Sequence, residues 1–245
     1  KPHIKKKPTK FEVDKLVELH TRQDFVSLEK YCRSLLEEYP NHHEVQNWFG
    51  VALAGQELYE ESLNVFFKAL VDTDKNLAKA KTLNNAGVSF IKLDDPSSAI
   101  IYLNKAIQED PNNVSAHFNL ANALRNVGET ESSIQVYKEA LKIDPKHANS
   151  IIYYSLALKT LGKFEESILL CKKALDIRSD WGMVHRHLSS MVKYKKDNEH
   201  FKIMLSLIDG KNLLKEDKMH ICFGLSKAFE DIKEYKKAFS FLSKA

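Results

Sequence analysis

Cysteine, glycine and proline are all scarce in this chain of 245 residues, at three, eight and six. Cys32, Cys171 and Cys222 are odd in number and sit where a helical pattern wants a modest apolar side chain. Cysteine packs as a small hydrophobe, and no CxxC or Cys/His ligand spacing is present. Neither a disulfide framework nor a zinc site is therefore indicated. Such usage fits a reducing, cytoplasmic setting. So little glycine and proline excludes a low-complexity or disordered class. No run of 18 apolar residues occurs, which excludes a membrane-spanning helix, and the Lys-rich start lacks the apolar stretch of a signal peptide. The sequence also has no P-loop, no GxSxG, no HExxH and no glycine-rich phosphate cradle. The expectation is a chain without catalytic, cofactor or metal chemistry of its own.

Charge of one sign is concentrated in one place. The net charge is +4, but Lys1, Lys5, Lys6, Lys7 and Lys10 lie in the first ten residues, so the remainder sums to about −1. A Lys-rich arm can neutralise phosphates on nucleic acid or lipid. With no basic helix face to extend it, residues 1–10 read as a flexible solvated arm and nucleic acid is not the expected partner. Glu60-Glu61 and Glu165-Glu166 each open a helical pattern, where acids favour the helix dipole, so they do not read as paired catalytic acids. His185 and His187 are two apart and face different sides of a helix, so they read as surface or packing histidines rather than a metal pair.

What the chain does contain is a repeat. In residues 114–147, Leu120, Ala121 and Leu124 form one helical face, and Ile134, Tyr137, Ala140 and Leu141 another, with a break at Gly128 and a stop at Asp144-Pro145. A small residue in each first helix recurs at Gly50, Gly87, Ala121, Ser155, Ser189 and Ser226, mostly 34 and otherwise 37 residues apart. A second recurs at Ala69, Ala106, Ala140 and Ala174. Small residues recur because helices approach closely only where side chains are short. Paired helices at this period, with these landmarks and a closing proline, resemble the tetratricopeptide repeat. The resemblance implies an all-α fold, a right-handed superhelical solenoid of antiparallel helix pairs. Residues 11–245 read as one solenoid of about six to seven pairs, the opening pair over 11–38 lacking the small landmark and reading as a cap or a degenerate repeat. Gly128 and Gly162 mark inner turns that suit a left-handed glycine. Residues 182–215 form a degenerate repeat, with a first helix read over 183–196 and its partner over 199–209.

In such a stack the first helices line a concave face. Helical spacing turns Asp14, Val17, Trp48, Val51, Asn84, Asn85 and Val88 toward it, and then Phe118, Asn119, Asn122, Arg125, Asn126, Ile152, Tyr153 and Lys159. Asparagine is a poor helix-interior residue, and an amide that donates and accepts matches peptide backbone. The candidate peptide-binding groove is thus Trp48, Asn84, Asn85, Phe118, Asn119, Asn122, Arg125, Asn126 and Tyr153. Asn85 and Asn119 hold equivalent places in successive repeats, which resembles a short form of the asparagine ladder of O-linked GlcNAc transferases. The two-carboxylate clamp of chaperone-binding repeats is matched at Asn119 alone, its other places holding Asn84, Val88, Asn149 and Tyr153. The expected function is a protein-interaction module for an extended peptide or a partner helix. Self-association through the ends or the convex face is the competing class. The stretch from Phe223 to Ala245, FGLSKAFEDIKEYKKAFSFLSKA, resembles the segment closing the repeats of bacterial tetratricopeptide–sulfotransferase fusions. That resemblance implies an alternative: repeats that position the acceptor for a sulfotransferase domain encoded beyond Ala245.

Overall fold

The computed structural model describes residues 7–71, 73, 76–210 and 213–245. Most of the arm expected over 1–10 lies outside the described residues; within them, Thr9 caps α1 and Lys10 is its first residue. Fourteen α-helices and no strand occur among the described residues. The chain divides into two compact units, residues 1–143 and 144–245. The first holds α1 (Lys10–Thr21), α2 (Phe25–Glu38), α3 (His43–Gly55), α4 (Tyr59–Val71), α5 (Asn76–Lys92), α6 (Pro96–Glu109), α7 (Val114–Asn126) and α8 (Thr130–Ile143). The second holds α9 (Ala148–Thr160), α10 (Phe164–Ile177), α11 (Gly182–Ser189), α12 (Glu199–Asp209), α13 (Lys215–Asp231) and α14 (Tyr235–Leu242).

Helix limits follow from local chemistry. Thr9 and Glu12 form a capping box on α1. Asp24, Asp95, Asn113 and Asn198 each accept a hydrogen bond from the backbone amide three residues on, satisfying an orphan donor of the first turn. Between the two helices of a pair, α11 and α12 excepted, the chain reverses through one residue in the left-handed region. Gly128 and Gly162 hold that conformation with φ of 88° and 73°. The same turn is made without glycine at Gln23, Glu57, Asp94 and Lys233, where φ lies between 56° and 65°.

In the first unit the small landmarks are where the two helices of a pair close on each other. A Cβ at Gly50 would lie 2.3 Å from the Phe66 ring, so α3 approaches α4 only without a side chain there. Ala121 is fully buried. Successive first helices also touch, α3 against α5 and α5 against α7. Successive second helices meet through long side chains instead, Phe67 and Tyr102 having ring centroids 5.4 Å apart. The first-helix side of this unit is therefore the inner one. Its core runs from Leu16, Leu28 and Cys32 through Phe66 and Ala86 to Leu103 and Leu120.

In the second unit α9 and α10 close at Ser155, whose Oγ donates to the Ser167 carbonyl at 3.1 Å. The degenerate repeat departs from the reading of residues 183–196 as a first helix. α11 ends at Ser189, and Tyr194 turns into the core at 2% exposure. There its backbone amide donates to Asp231 Oδ2 at 2.9 Å and its hydroxyl lies 2.8 Å from Ser189 Oγ. Burying an aromatic with both polar groups satisfied outweighs another helical turn on a Lys-rich surface. α11 packs on α13 rather than chiefly on its expected partner α12. The approach is closest at Gly182, whose missing Cβ would sit 2.2 Å from the Asp217 carbonyl oxygen and whose amide donates to Asp217 Oδ1 at 2.8 Å.

Candidate functional site

Three first helices of the first unit bring asparagines together. Asn119 Nδ2 on α7 donates to Asn84 Oδ1 on α5 at 2.9 Å. Asn84 Nδ2 reaches Asn85 Oδ1 at 3.4 Å, and Asn85 Nδ2 donates to Asn47 Oδ1 on α3 at 3.1 Å. Asn47 Oδ1 also accepts from the Thr82 hydroxyl at 3.1 Å. The amides thus bond to one another, from each first helix to the one before. All are half-buried, and each primary amide carries a second hydrogen. Asn47 belongs to this row and stands 37 residues before Asn84, a spacing the repeat itself supplies.

The other expected residues divide around this row. Trp48 is half-buried on α3, its ring edge-on to His20 at 5.3 Å. Asn122 is engaged, its Oδ1 accepting from the Tyr137 hydroxyl at 2.6 Å. Phe118 packs near the same tyrosine, with centroids 6.3 Å apart. Arg125 is half-buried near the end of α7 and Asn126 is exposed. Tyr153 lies on α9, in the second unit, where it is half-buried.

Two cavities flank the Asn47–Asn85 contact. One, of about 210 Å³, is lined by His43, Glu44, Asn47, Lys81 and Thr82. The other, of about 260 Å³, is largely apolar and lined by His20, Phe25, Val51, Tyr59, Val88 and Lys92, with Asn85 at its edge. Both fall below the roughly 300–1,000 Å³ of sites for drug-sized ligands. They suit single side chains of a longer partner. Of these residues, Val51 and Val88 are visible from helical spacing, whereas His20 and Lys92 enter through the packing of α1 and the length of α5.

A second polar cluster lies in the second unit. His185 is fully buried, with Nε2 2.8 Å from the Ser179 carbonyl oxygen and Nδ1 2.8 Å from His200 Nε2. A carbonyl can only accept, so His185 carries its proton on Nε2 and accepts at Nδ1. His200 therefore donates from Nε2 and accepts at Nδ1 from the Tyr194 hydroxyl, 2.6 Å away. Both rings are neutral in this chain of bonds. Burial, with the nearby His185 and Lys172, pushes His200 down to about 3. Burial, with Lys159, pushes His187 down to about 4, its Nε2 3.1 Å from Ser155 Oγ. Burial likewise pushes the Cys32 thiol up to about 12 and Cys171 up to about 11, so neither is a thiolate near neutrality. Among the described residues no group of three or more His, Cys, Asp or Glu could hold a metal ion, and no helix is long and apolar enough to cross a membrane.

Comparison with known proteins agrees with the repeat geometry. Sequence models of the tetratricopeptide repeat match residues 80–113 and 102–135. None of the curated proteins matches the chain by sequence. Solved structures of similar fold include YrrB, described as a TPR protein with an unusual peptide-binding site. It is 21% identical, covers 73% of this chain and 90% of its own, and has a TM-score of 0.55. MamA from Desulfovibrio magneticus RS-1 is 16% identical over 69% of this chain and 94% of its own, with a TM-score of 0.58. Pseudomonas aeruginosa pilF is 17% identical over 81% of this chain and 88% of its own, with a TM-score of 0.63. With their repeat period, small-residue closures and helix pairs, residues 80–135 match the tetratricopeptide repeat, and the fold is that of an all-α helical repeat solenoid.

Proposed function

We propose that the chain is a protein-binding module without catalytic chemistry, holding an extended peptide or a partner helix along the first-helix face of its first unit. The observation that carries this is the row Asn119–Asn84–Asn85–Asn47, whose half-buried amides line that face beside two side-chain-sized cavities. Amides already fixed by their neighbours present the remaining hydrogens at low entropic cost, which favours binding a backbone. The peptide-binding site in YrrB's description is in line with this reading. The test is selection of displayed random peptides on the full chain, followed by affinity measurement on Asn85→Ala/Asn119→Ala. The expected result is a loss of about tenfold with helix content unchanged, the equivalent of one or two hydrogen bonds. Peptides that bind the double variant as tightly as the parent would overturn the assignment of this face.

A second reading rests on α14, where Tyr235, Phe239 and Leu242 are 63%, 71% and 49% exposed. Under it, the repeats position an acceptor for a sulfotransferase domain that follows and covers this strip. Sequence beyond Ala245 encoding a strand and a glycine-rich phosphate loop supports that reading, and an early stop codon overturns it.

A further inference from the structure

One stripe of α5 joins the two cavities. Lys81 lines the first and Asn85, Val88 and Lys92 the second, at spacings of four, three and four residues, which places all of them on a single helix face. α5 and α7 carry Lys79, Lys81, Lys92 and Arg125 and no carboxylate, and α3 contributes only Glu44. Acids and bases alternate on α6 and α8 by contrast, with Glu109, Glu131 and Glu139 against Lys105, Lys138 and Lys142. Lys81 and Lys92 are exposed and make no ion pair with any described residue. α5 and α7 are therefore cationic where α6 and α8 are balanced.

We propose that this stripe binds an extended acidic peptide, with a carboxylate on Lys81, a second on Lys92, and a large apolar side chain seated between them against Val88. The proposal rests on the peptide-binding reading above and names the ligand class. Eleven helical residues from Lys81 to Lys92 rise about 16 Å at 1.5 Å each, the span of roughly five extended residues. Val88 lies about 10 Å along, close to three extended residues. The motif is thus an acid, two residues, an apolar anchor, one residue and a second acid, or its reverse. The cavity beside Val88 is walled by Phe25, Val51 and Tyr59 and by His20, so a leucine or phenylalanine finds apolar contact on several sides. Glu44, which lines the cavity beside Lys81, is a carboxylate that opposes the peptide's acids.

The experiment uses the full chain and labelled synthetic peptides carrying this motif with Leu or Phe as anchor. Matched peptides have both acids changed to lysine, or the anchor changed to serine. Fluorescence anisotropy is read at low and high salt, on the parent, on Lys92→Glu and on Val88→Phe, which fills the cavity. The expected result is binding of the acidic anchored peptides only, weakened about tenfold or more by salt and by Lys92→Glu, and by Val88→Phe. Lys92 is exposed, so its variant reports on binding without a folding penalty. If the lysine peptides bind equally well, the acidic motif is overturned while peptide binding itself stands. If the serine peptides bind equally well, the apolar anchor is overturned. If no peptide of any class binds, the peptide-binding reading falls and this proposal with it.

Discussion

Asn119 and Asn84, 35 residues apart on adjacent first helices, are joined by a 2.9 Å amide–amide hydrogen bond. The bond ties one repeat to the next and orients the face on which a ligand would lie. Removing either partner leaves a half-buried amide without its mate. Asn84→Ala and Asn119→Ala should each cost about 1 kcal/mol, and the double variant less than the sum by about 0.5 kcal/mol. Urea unfolding of the four proteins in the cycle measures this, and strict additivity would show that the bond contributes nothing.

Close packing at the landmarks sets the second expectation. Ala121 is fully buried and Gly50 abuts the Phe66 ring. Ala121→Leu should lower stability by roughly 1–3 kcal/mol, and Gly50→Val by a comparable amount, through overpacking. Thermal melts followed by circular dichroism decide; unchanged midpoints would mean that these faces do not close as described.

The left-handed turns give a change of opposite sign. Glu57 and Lys233 hold φ of 65° and 64°, a conformation that costs an L-residue roughly 1–2 kcal/mol. Glu57→Gly and Lys233→Gly should relieve that strain against a smaller loss of chain entropy, for a net gain of about 0.5 kcal/mol each. Gly128→Ala, at φ of 88°, should destabilise. A lower midpoint for both glycine variants would show that the turn residues are held by contacts rather than strained.

Acid should loosen the second unit before carboxylates titrate. His185 and His187 are buried and His200 is half-buried, and all three are neutral when folded, with values lowered from 6.5, to about 4 for His187 and about 3 for His200. The unfolded chain takes up protons as the pH falls through 6.5 while the folded unit does not. The stabilisation is complete above that pH and is lost as the pH descends toward the folded values, by on the order of 1.4 kcal/mol per pH unit for each histidine that stays neutral. Hydrogen exchange of α11 and α12 between neutral and mildly acidic pH reads the effect; protection independent of pH in that window would contradict it.

Much of the fold is legible along the chain because its causes are local. Gly128 and Gly162 mark turns that only an unhindered backbone makes freely. The recurrence of Gly50, Ala121 and Ser155 exposes the repeat because each pair must close at its smallest residue. The candidate site is legible to a lesser degree. Asn84, Asn85 and Asn119 stand out by position, but their mutual bonds, and Asn47 as the fourth member, do not.

Period, helix pairs and glycine turns were thus set by the sequence itself, through propensities and spacings that act within a turn or two of helix. Tertiary structure alone decided the rest. It stopped α11 at Ser189 by drawing Tyr194 into the core, and it imposed a left-handed turn on Glu57 and Lys233, where no glycine signals one. It placed His200 against His185 and opened the cavities beside Lys81 and Lys92. Each of these depends on the angle and distance at which two helices cross, and those are fixed by the fit of side chains far apart in the chain rather than by any residue's own preference.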